Sequence, residues 1–450
     1  MLLPEFQHFR NKDSDPEHPE STHPGLAFLD FQEYLKHFDP FHPESWVDNE
    51  PGMSLKALEN TKIFAPREID FQCLEEVRTR TVCIGDIDVF FARPNQPHAQ
   101  ETIATYLAVE LTNRPEVDTV VFLDTAVTHE LIALAKELHA NDYRVIIRDH
   151  HAELGEHEDL VREILQYCDR DSSKITDRAT SPGCAELVQL GEFSGKNVLN
   201  IVDHDPDGVF TAIDAATKPK EKETEAFPGL KQDCALLDGN PAKQKVEDMT
   251  VHGRRMVALW QTLRKTGTVQ EKNAEKFELF RRFVASVQGS KEDAEYFDTV
   301  IIPRWENQAV PHARDLANKA EPVCNKVFLL DTTQEAEKFC DTGTLFRALI
   351  EQGCEFLILK KEQPGRAVQY EINRIEGTQS LFDILMTRKD SEILNEELER
   401  ASAKDEKRDP NPRQNRHFFV VQPFIAFCKG DEVFETHVLP KLIKHFGLAQ

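Results

Sequence analysis

Short apolar runs alternate with segments of helical periodicity in the middle of the chain. Val120–Leu123 and Val145–Ile147 are two such runs, and each has the length and composition of a buried strand. Between them, apolar residues recur at helical spacing from Thr128, a typical helix-capping residue, to Asn141, a typical helix stop. This pattern predicts a strand, a helix and a second strand, joined by a right-handed crossover that makes the two strands parallel.

Acidic residues and histidines follow both predicted strands directly. Asp124 comes after the first strand, and Asp149, His150 and His151 come after the second. Parallel strands joined in this way end at the same edge of a sheet, where open α/β sheets bind ligands. Carboxylates and imidazoles are suitable ligands for divalent metal ions. The sequence therefore predicts a metal site at the carboxyl edge of a parallel sheet.

A second group of acids lies upstream of these residues. The apolar segment Val82–Ala92 contains Asp86 and Asp88, and its pattern predicts a strand that ends in Asp-x-Asp and leads into a helix. The remaining metal ligands must come from acids outside the first pair of strands. Asp86 and Asp88 are therefore candidate metal ligands.

A third group of acids lies downstream. Asp203, Asp205 and Asp207 alternate after the apolar run Val198–Val202 and precede Gly208. Asp, Pro and Gly also form turns, so an acidic turn is the alternative interpretation of this segment. Three alternating carboxylates after an apolar strand would repel one another without a cation. This repulsion favours the metal-site interpretation.

The triplet Asp149-His150-His151, the apolar run before it and Asp124 on the preceding strand resemble the motifs of the DHH phosphoesterase superfamily. This superfamily includes RecJ-type single-strand exonucleases, nanoRNA and cyclic-dinucleotide phosphodiesterases, and manganese pyrophosphatases. The resemblance implies an α/β fold, in which a parallel-sheet domain with helices on both faces precedes a helical connector and a smaller α/β substrate domain. It also implies a metal-dependent hydrolase that uses two Mn²⁺ ions, with Mg²⁺ as the alternative.

Members of the family carry an Asp-x-Asp motif at the start of this domain. Two segments of this chain could supply it, so the resemblance allows two models of the metal site. In the linear model, Asp86 and Asp88 open the site and Asp203 closes it. In the second model, Asp203, Asp205 and Asp207 supply the opening function from a later strand. The linear model is favoured, because short connections between adjacent strands make the usual order the simpler fold.

The resemblance also assigns roles to the residues of the triplet and to their neighbours. Asp124 is expected to bridge the two ions, and His150 to bind one of them. Asp149 would fix the nearby geometry, and His151 would contact the phosphate or help to protonate the leaving oxygen. Arg148 either neutralises substrate charge or forms a surface ion pair.

Shifts in composition divide the chain into four predicted parts. Residues 1–65 are rich in His, Pro and acids and predict an amino-terminal extension, and residues 66–216 form the metal-site domain. Residues 217–322 combine a charged hinge with a helical connector, in which 249–263 and 274–287 show helical periodicity.

Residues 323–450 form the predicted substrate domain. Strands are predicted at 327–331 and 356–360, a helix at 344–352, and a hairpin that continues to Arg374. The Gly-Gly-Gly-His loop that RecJ-like relatives place after this hairpin is absent here. Arg374 is a candidate phosphate ligand.

Charge and composition narrow the range of partners. The formal net charge of −25 disfavours a broad grip on a long phosphate backbone, so a short nucleotide or oligonucleotide is the expected substrate. Single-stranded nucleic acid would need a local basic groove. The nine cysteines are scattered, and no apolar stretch approaches the roughly 20 residues of a membrane helix. We expect a cytoplasmic protein with reduced thiols and no membrane partner. A homodimer is a possible assembly.

Three functions follow from these observations. The first is a phosphoesterase that cuts phosphodiester bonds in short oligonucleotides or nucleotide second messengers through a metal-activated water. The second is a RecJ-like single-strand-specific exonuclease. The third is a binding or scaffold protein that keeps the fold without activity. The third is disfavoured, because a cluster of acids costs stability without a cation.

Overall fold

A computed structural model of the chain describes thirteen stretches. These are residues 71–92, 99–150, 158–171, 184–218, 228–239, 242, 245–264, 267–333, 335, 338–361, 368–402, 418–421 and 425–447. They belong to two compact units, the first within residues 1–175 and 184–224 and the second within 176–183 and 225–450. The predicted amino-terminal extension and His151 lie outside the described residues.

The first unit is built on a six-stranded sheet. Its strands are β1 (Thr81–Ile84), β2 (Ile87–Phe91), β3 (Thr119–Leu123), β4 (Arg144–Arg148), β5 (Asp169–Asp171) and β6 (Val198–Val202). Their order is β1-β2-β6-β3-β4-β5, and every neighbouring pair is parallel except β1 and β2. The predicted α/β class is therefore confirmed, and the carboxyl ends of five strands share one edge of the sheet.

Helices cover both faces of this sheet. They are α1 (Phe71–Arg80), α2 (Ala99–Asn113), α3 (His129–Ala140), α4 (Glu158–Ile164) and α5 (Pro206–Ala216). Side chains of α2 and α3 share one buried core with Val120 and Phe122 of β3. Since side chains alternate along a strand, Val121 and Leu123 point to the other face, where the fully buried helix α5 packs.

The predicted strand–helix–strand unit is confirmed residue by residue. Thr128 caps α3 by accepting a hydrogen bond from the Leu131 N–H, and Asn141 ends the helix. Strand β3 precedes this helix and strand β4 follows it, and the two strands pair in parallel. The apolar periodicity was sufficient here because strand, cap and helix are all local features.

The expected helix after Asp88 is wrong. The chain turns at Gly85, whose φ of +64° favours glycine, and β2 then returns antiparallel to β1. Phe90 and Phe91 are fully buried in β2 and extend the strand rather than begin a helix. A hairpin therefore occupies the position where the sequence pattern predicted a strand and a helix.

The second unit contains another six-stranded sheet. Its strands are β7 (Glu321–Cys324), β8 (Val327–Asp331), β9 (Phe356–Lys361), β10 (Gln369–Arg374), β11 (Phe418–Val421) and β12 (Ile425–Lys429). Their order is β11-β12-β10-β9-β8-β7, and only β8 and β9 are parallel among these neighbours. The predicted strands at 327–331 and 356–360 and the predicted hairpin are confirmed.

Helices make up the rest of the second unit. They include α6 (Pro228–Gly239), α7 (Val251–Gln261), α8 (Val269–Val287), α9 (Thr342–Glu351), α10 (Arg388–Ser402) and α11 (Leu439–Phe446). Helix α9 connects the parallel strands β8 and β9. Helices α7 and α8 confirm the two periodic segments of the predicted connector. Across the described stretches, no helix combines the length and the apolar character that a bilayer crossing requires.

Three wide helical turns in this unit have a common cause. The π turns Phe297–Ile301, Trp305–Ala309 and Phe434–Val438 each end two residues before a proline. These prolines are Pro303, Pro311 and Pro440. A proline has no N–H, and its ring clashes with a carbonyl in the preceding turn, so widening that turn lets the helix continue.

Candidate metal centre

Three parallel strands bring acids to one edge of the first sheet. Asp124, Asp149 and Asp203 directly follow β3, β4 and β6. The Asp124 N–H donates to the Arg148 carbonyl at 2.8 Å, and the Asp203 N–H donates to the Leu123 carbonyl at 3.2 Å. These hydrogen bonds continue the sheet ladder by one residue. The three carboxylates therefore begin at adjacent, fixed backbone positions.

The centre of the site consists of Asp124, His150 and Asp207. The His150 Nε2 atom lies 3.2 Å from the Asp124 Oδ1 atom and 3.7 Å from the Asp207 Oδ2 atom. Each residue offers one ligand atom, and the three atoms all lie within 4.8 Å of one another. All three residues are buried, and both aspartates are fully so. Two buried carboxylates and an imidazole at this spacing fit a divalent cation.

Asp124 adopts an unusual backbone conformation. Its φ of +55° lies in the left-handed region, where a non-glycine residue costs of order 1–3 kcal/mol. Asp tolerates this region better than most residues. The hydrogen bond from its N–H to β4 holds the strained residue in place. Such strain is typical of functional sites.

Asp207 reaches the centre because α5 begins directly after β6. Asp205 caps the helix by accepting a hydrogen bond from the Gly208 N–H at 2.8 Å, and Pro206 occupies the first turn. Gly208 leaves room for a close approach of the chain, since a Cβ atom there would lie 2.3 Å from the Asp203 carbonyl oxygen. The sequence Asp203–Gly208 is therefore a strand-to-helix turn that presents Asp207.

The three alternating acids of this turn have different local partners. Asp205 caps α5, and the Asp203 Oδ1 atom accepts the His204 N–H at 2.5 Å. Asp207 joins Asp124 and His150. Asp149 directly follows β4, precedes His150 in the chain and is fully buried. Asp149 and Asp203 are acids close to the centre that are not part of the three-residue group.

The structure corrects the linear model of the site. Asp86 lies in the turn between β1 and β2, its side chain is 74% exposed, and it pairs with the Lys218 Nζ atom at 2.9 Å. This ammonium lowers the pKa of the Asp86 carboxyl. Asp88 belongs to the amino-terminal half of β2, which runs parallel to β6. The backbone positions of Asp86 and Asp88 therefore lie away from the sheet edge that carries Asp124.

The two arginines of the prediction have structural partners. The Arg148 Nη2 atom forms an ion pair with the Glu192 Oε1 atom at 3.3 Å, and its guanidinium lies over the Phe193 ring. Arg148 therefore has an ion-pair partner, and its contact with a substrate stays a prediction. Arg374 belongs to the second unit, where its Nη1 atom donates to the Gln379 carbonyl at 3.2 Å.

Cys184 also contacts the candidate centre, although no pattern in the sequence singles it out. Its backbone N–H donates to the Asp207 Oδ2 atom at 2.5 Å, and its thiol donates to the Arg148 carbonyl at 3.1 Å. Burial, followed by the nearby carboxylates of Asp124 and Asp207, raises the pKa of this thiol well above its usual value. No local motif marks Cys184, because its partners lie far from it in the sequence.

Comparisons with known proteins gave matches at the level of structure. No protein-family model and no curated protein matches the sequence. Among solved structures, the chain is similar to a pGpG-specific phosphodiesterase from Vibrio cholerae, with 10% identity and a TM-score of 0.35 over 73% of this chain and 98% of that one. It is also similar to the DHH domain of a member of the s1p family of ribosomal proteins. That match has 14% identity and a TM-score of 0.30 over 74% of this chain and 70% of that one.

Proposed function

We propose that this chain is a metal-dependent phosphoesterase of the DHH type that hydrolyses phosphodiester bonds in short oligonucleotides or nucleotide second messengers. The observation that carries the proposal is the buried group of Asp124, His150 and Asp207 at the carboxyl edge of a parallel sheet. Burying two carboxylates side by side is costly unless a cation compensates them. The same residues include the middle histidine of the triplet and the acid of the preceding strand.

The donor set favours Mn²⁺ or Mg²⁺, because carboxylate oxygens and one imidazole suit these cations better than thiophilic metals. Asp124, His150 and Asp207 would hold the first ion. Asp149 and Asp203, which follow the adjacent strands, are the acids available for a second ion. When bound, such ions would lower the pKa of an attacking water and stabilise the charge that develops on the phosphoryl oxygens.

The protein supplies the orientation of the site residues. The strand ends fix the backbone of Asp124 and Asp203, and the capped start of α5 fixes Asp207. The positive end of the α5 dipole stabilises the nearby carboxylate and would attract a phosphate. His151, which follows His150 in the chain, is the proposed contact to the phosphate or proton donor to the leaving oxygen.

Net charge supports a short substrate over a long one. A chain with a formal charge of −25 repels a polyanion except at local basic sites. A dinucleotide brings few phosphates and depends little on such sites. A RecJ-like exonuclease would need a basic track for the strand.

The test is Mn²⁺-dependent hydrolysis of a labelled panel that contains the dinucleotide pGpG, cyclic dinucleotides, short oligonucleotides and a long single strand. We expect cleavage of the short substrates and a loss of at least about 1,000-fold in Asp124→Ala, since this change removes a ligand. Asp86→Ala is the matched control, because it removes an exposed carboxylate from the other end of β2.

Each outcome of this panel has a clear meaning. Processive degradation of the long strand would move the protein to the exonuclease class. If hydrolysis survives in Asp124→Ala, the proposed metal centre does not carry out the reaction. If no substrate is cut and calorimetry detects no Mn²⁺ binding, the scaffold hypothesis replaces the enzyme.

A further inference from the structure

Cys184 joins two parts of the candidate metal centre that come from different strands. Its N–H donates to the carboxylate of Asp207, which α5 presents after β6. Its thiol donates to the backbone carbonyl of Arg148, the last residue of β4. One residue thereby contacts both the ligand of α5 and the strand end that leads into His150.

The Arg148 carbonyl is a shared acceptor. It receives the Asp124 N–H at 2.8 Å as well as the Cys184 thiol at 3.1 Å. Asp149 and His150 follow this carbonyl directly in the chain. The position of one peptide group therefore affects two of the three central residues, and Cys184 is bound to the third.

Cys184 makes both contacts from a buried position. The residue is fully buried, and its N–H and its thiol both donate to groups of the candidate centre. Its N–H donates to the Asp207 Oδ2 atom at 2.5 Å, a short distance for such a hydrogen bond. The residue thus fixes the orientation of one carboxylate oxygen without being one of the three clustered ligands.

We propose that Cys184 is a positioning residue of the metal centre. Its amide orients the Asp207 carboxylate, and its thiol fixes the Arg148 peptide, so that Asp124, His150 and Asp207 keep the spacing that one cation requires. The inference rests on the proposed function for its activity readout, whereas its metal-binding readout is independent of the substrate.

Three variants separate the two hydrogen bonds. Cys184→Ala removes the thiol donor, and Cys184→Ser keeps a donor of similar size. Cys184→Pro also removes the N–H, at the first residue of the 3₁₀ turn Cys184–Leu187, where a proline is tolerated best. Cys354→Ala is the matched control, because Cys354 is a buried thiol of the second unit that donates to the Phe356 carbonyl at 3.2 Å.

Mn²⁺ affinity is the decisive readout, measured by calorimetry and by the electron paramagnetic resonance spectrum of the bound ion. We expect the dissociation constant to rise about 10-fold in Cys184→Ala, to stay within about 3-fold of wild type in Cys184→Ser, and to rise about 100-fold in Cys184→Pro. Cys354→Ala should bind Mn²⁺ like wild type. At saturating Mn²⁺, Cys184→Ala should lower kcat for pGpG and leave KM unchanged.

The contrary results are distinct. Wild-type affinity in Cys184→Ala, or an equal loss in Cys184→Ala and Cys184→Ser, would overturn the positioning role. If Cys184→Pro does not fold by circular dichroism, the comparison of the alanine and serine variants decides. A wild-type protein that binds no Mn²⁺ would overturn both proposals, whereas one that binds Mn²⁺ but cuts nothing would overturn only the proposed function.

Discussion

At the scale of single residues, the first unit buries ionisable groups in two different settings. Asp124, His150 and Asp207 gather at the carboxyl edge of the sheet, where a cation can compensate their charge. Glu110 on α2 is also buried, and it forms an ion pair with Arg114 at 3.5 Å. Burial and the charge of Asp88 raise the pKa of the Glu110 carboxyl to about 7, against the effect of Arg114.

This shift of the Glu110 pKa predicts that Glu110 lowers the free energy of unfolding as pH rises. Between pH 4.5 and 7, the folded state holds a proton on Glu110 that the unfolded state has released, so the contribution of Glu110 to stability falls as pH rises and stays low above pH 7. Glu110→Gln cannot ionise. The stability of this variant relative to wild type should therefore increase between pH 5 and pH 8 by about 2.5 kcal/mol, as measured by urea unfolding.

Glu116→Gln is the control for this experiment. Glu116 lies 4.0 Å from the same arginine, but its side chain is 52% exposed. Because exposed ion pairs contribute little, the Glu116→Gln variant should stay close to wild type in the same unfolding experiments. A Glu110→Gln difference that is the same at pH 5 and pH 8 would contradict the assignment.

Gly208 carries a second prediction at this scale. In Gly208→Ala, the new Cβ atom would meet the Asp203 carbonyl oxygen, which belongs to the backbone and cannot move without shifting the strand end. We expect a loss of about 1–3 kcal/mol in the free energy of unfolding, together with weaker Mn²⁺ binding. Ala212→Gly in the same helix should cost about 1–2 kcal/mol, since it loses helix propensity and a buried methyl group, and should leave Mn²⁺ binding intact. Unchanged stability in Gly208→Ala would show that the turn has another conformation.

At the scale of elements, helix starts organise both units. Asp205 begins α5 and so presents Asp207, and Asp341 begins α9 in the second unit. The Asp341 carboxylate accepts the Thr344 N–H at 2.5 Å and the indole N–H of Trp305 at 2.7 Å. Trp305 is itself buried in a π turn, so one carboxylate connects two helical segments.

Removal of the Asp341 carboxylate should destabilise the second unit. Asp341→Ala loses the helix cap and leaves the buried indole N–H without its acceptor, which together should cost about 2–4 kcal/mol. Asp341→Asn keeps an oxygen for one of the two donors and should cost less. Thermal and urea unfolding measure both variants. If Asp341→Ala were as stable as wild type, the two hydrogen bonds of the Asp341 carboxylate would not stabilise the second unit.

At the scale of the whole molecule, the order of the strands decides the composition of the site. Strand β6 comes last in the first unit but lies between β2 and β3. This position brings Asp207 to Asp124 and His150, whereas the hairpin at Gly85 places Asp86 on an exposed turn.

Several features of this protein were determined by the sequence alone. The apolar runs predicted β3 and β4, and the capping residue Thr128 predicted the start of α3. The triplet and Asp124 marked the sheet edge, because a residue that follows a parallel strand has only one edge to occupy. These features depend on neighbours within a few residues, which is why a pattern along the chain contains them.

Only the tertiary structure decided which acids join the triplet. Asp86 and Asp203–Asp207 both follow apolar runs, and the sequence pattern left both sets as candidate ligands. The choice depends on which strand pairs with β3, and that pairing is fixed by the burial of β6 between two sheet neighbours. For the same reason Cys184 was invisible in the sequence, because its contacts with Asp207 and Arg148 exist only after distant segments pack together.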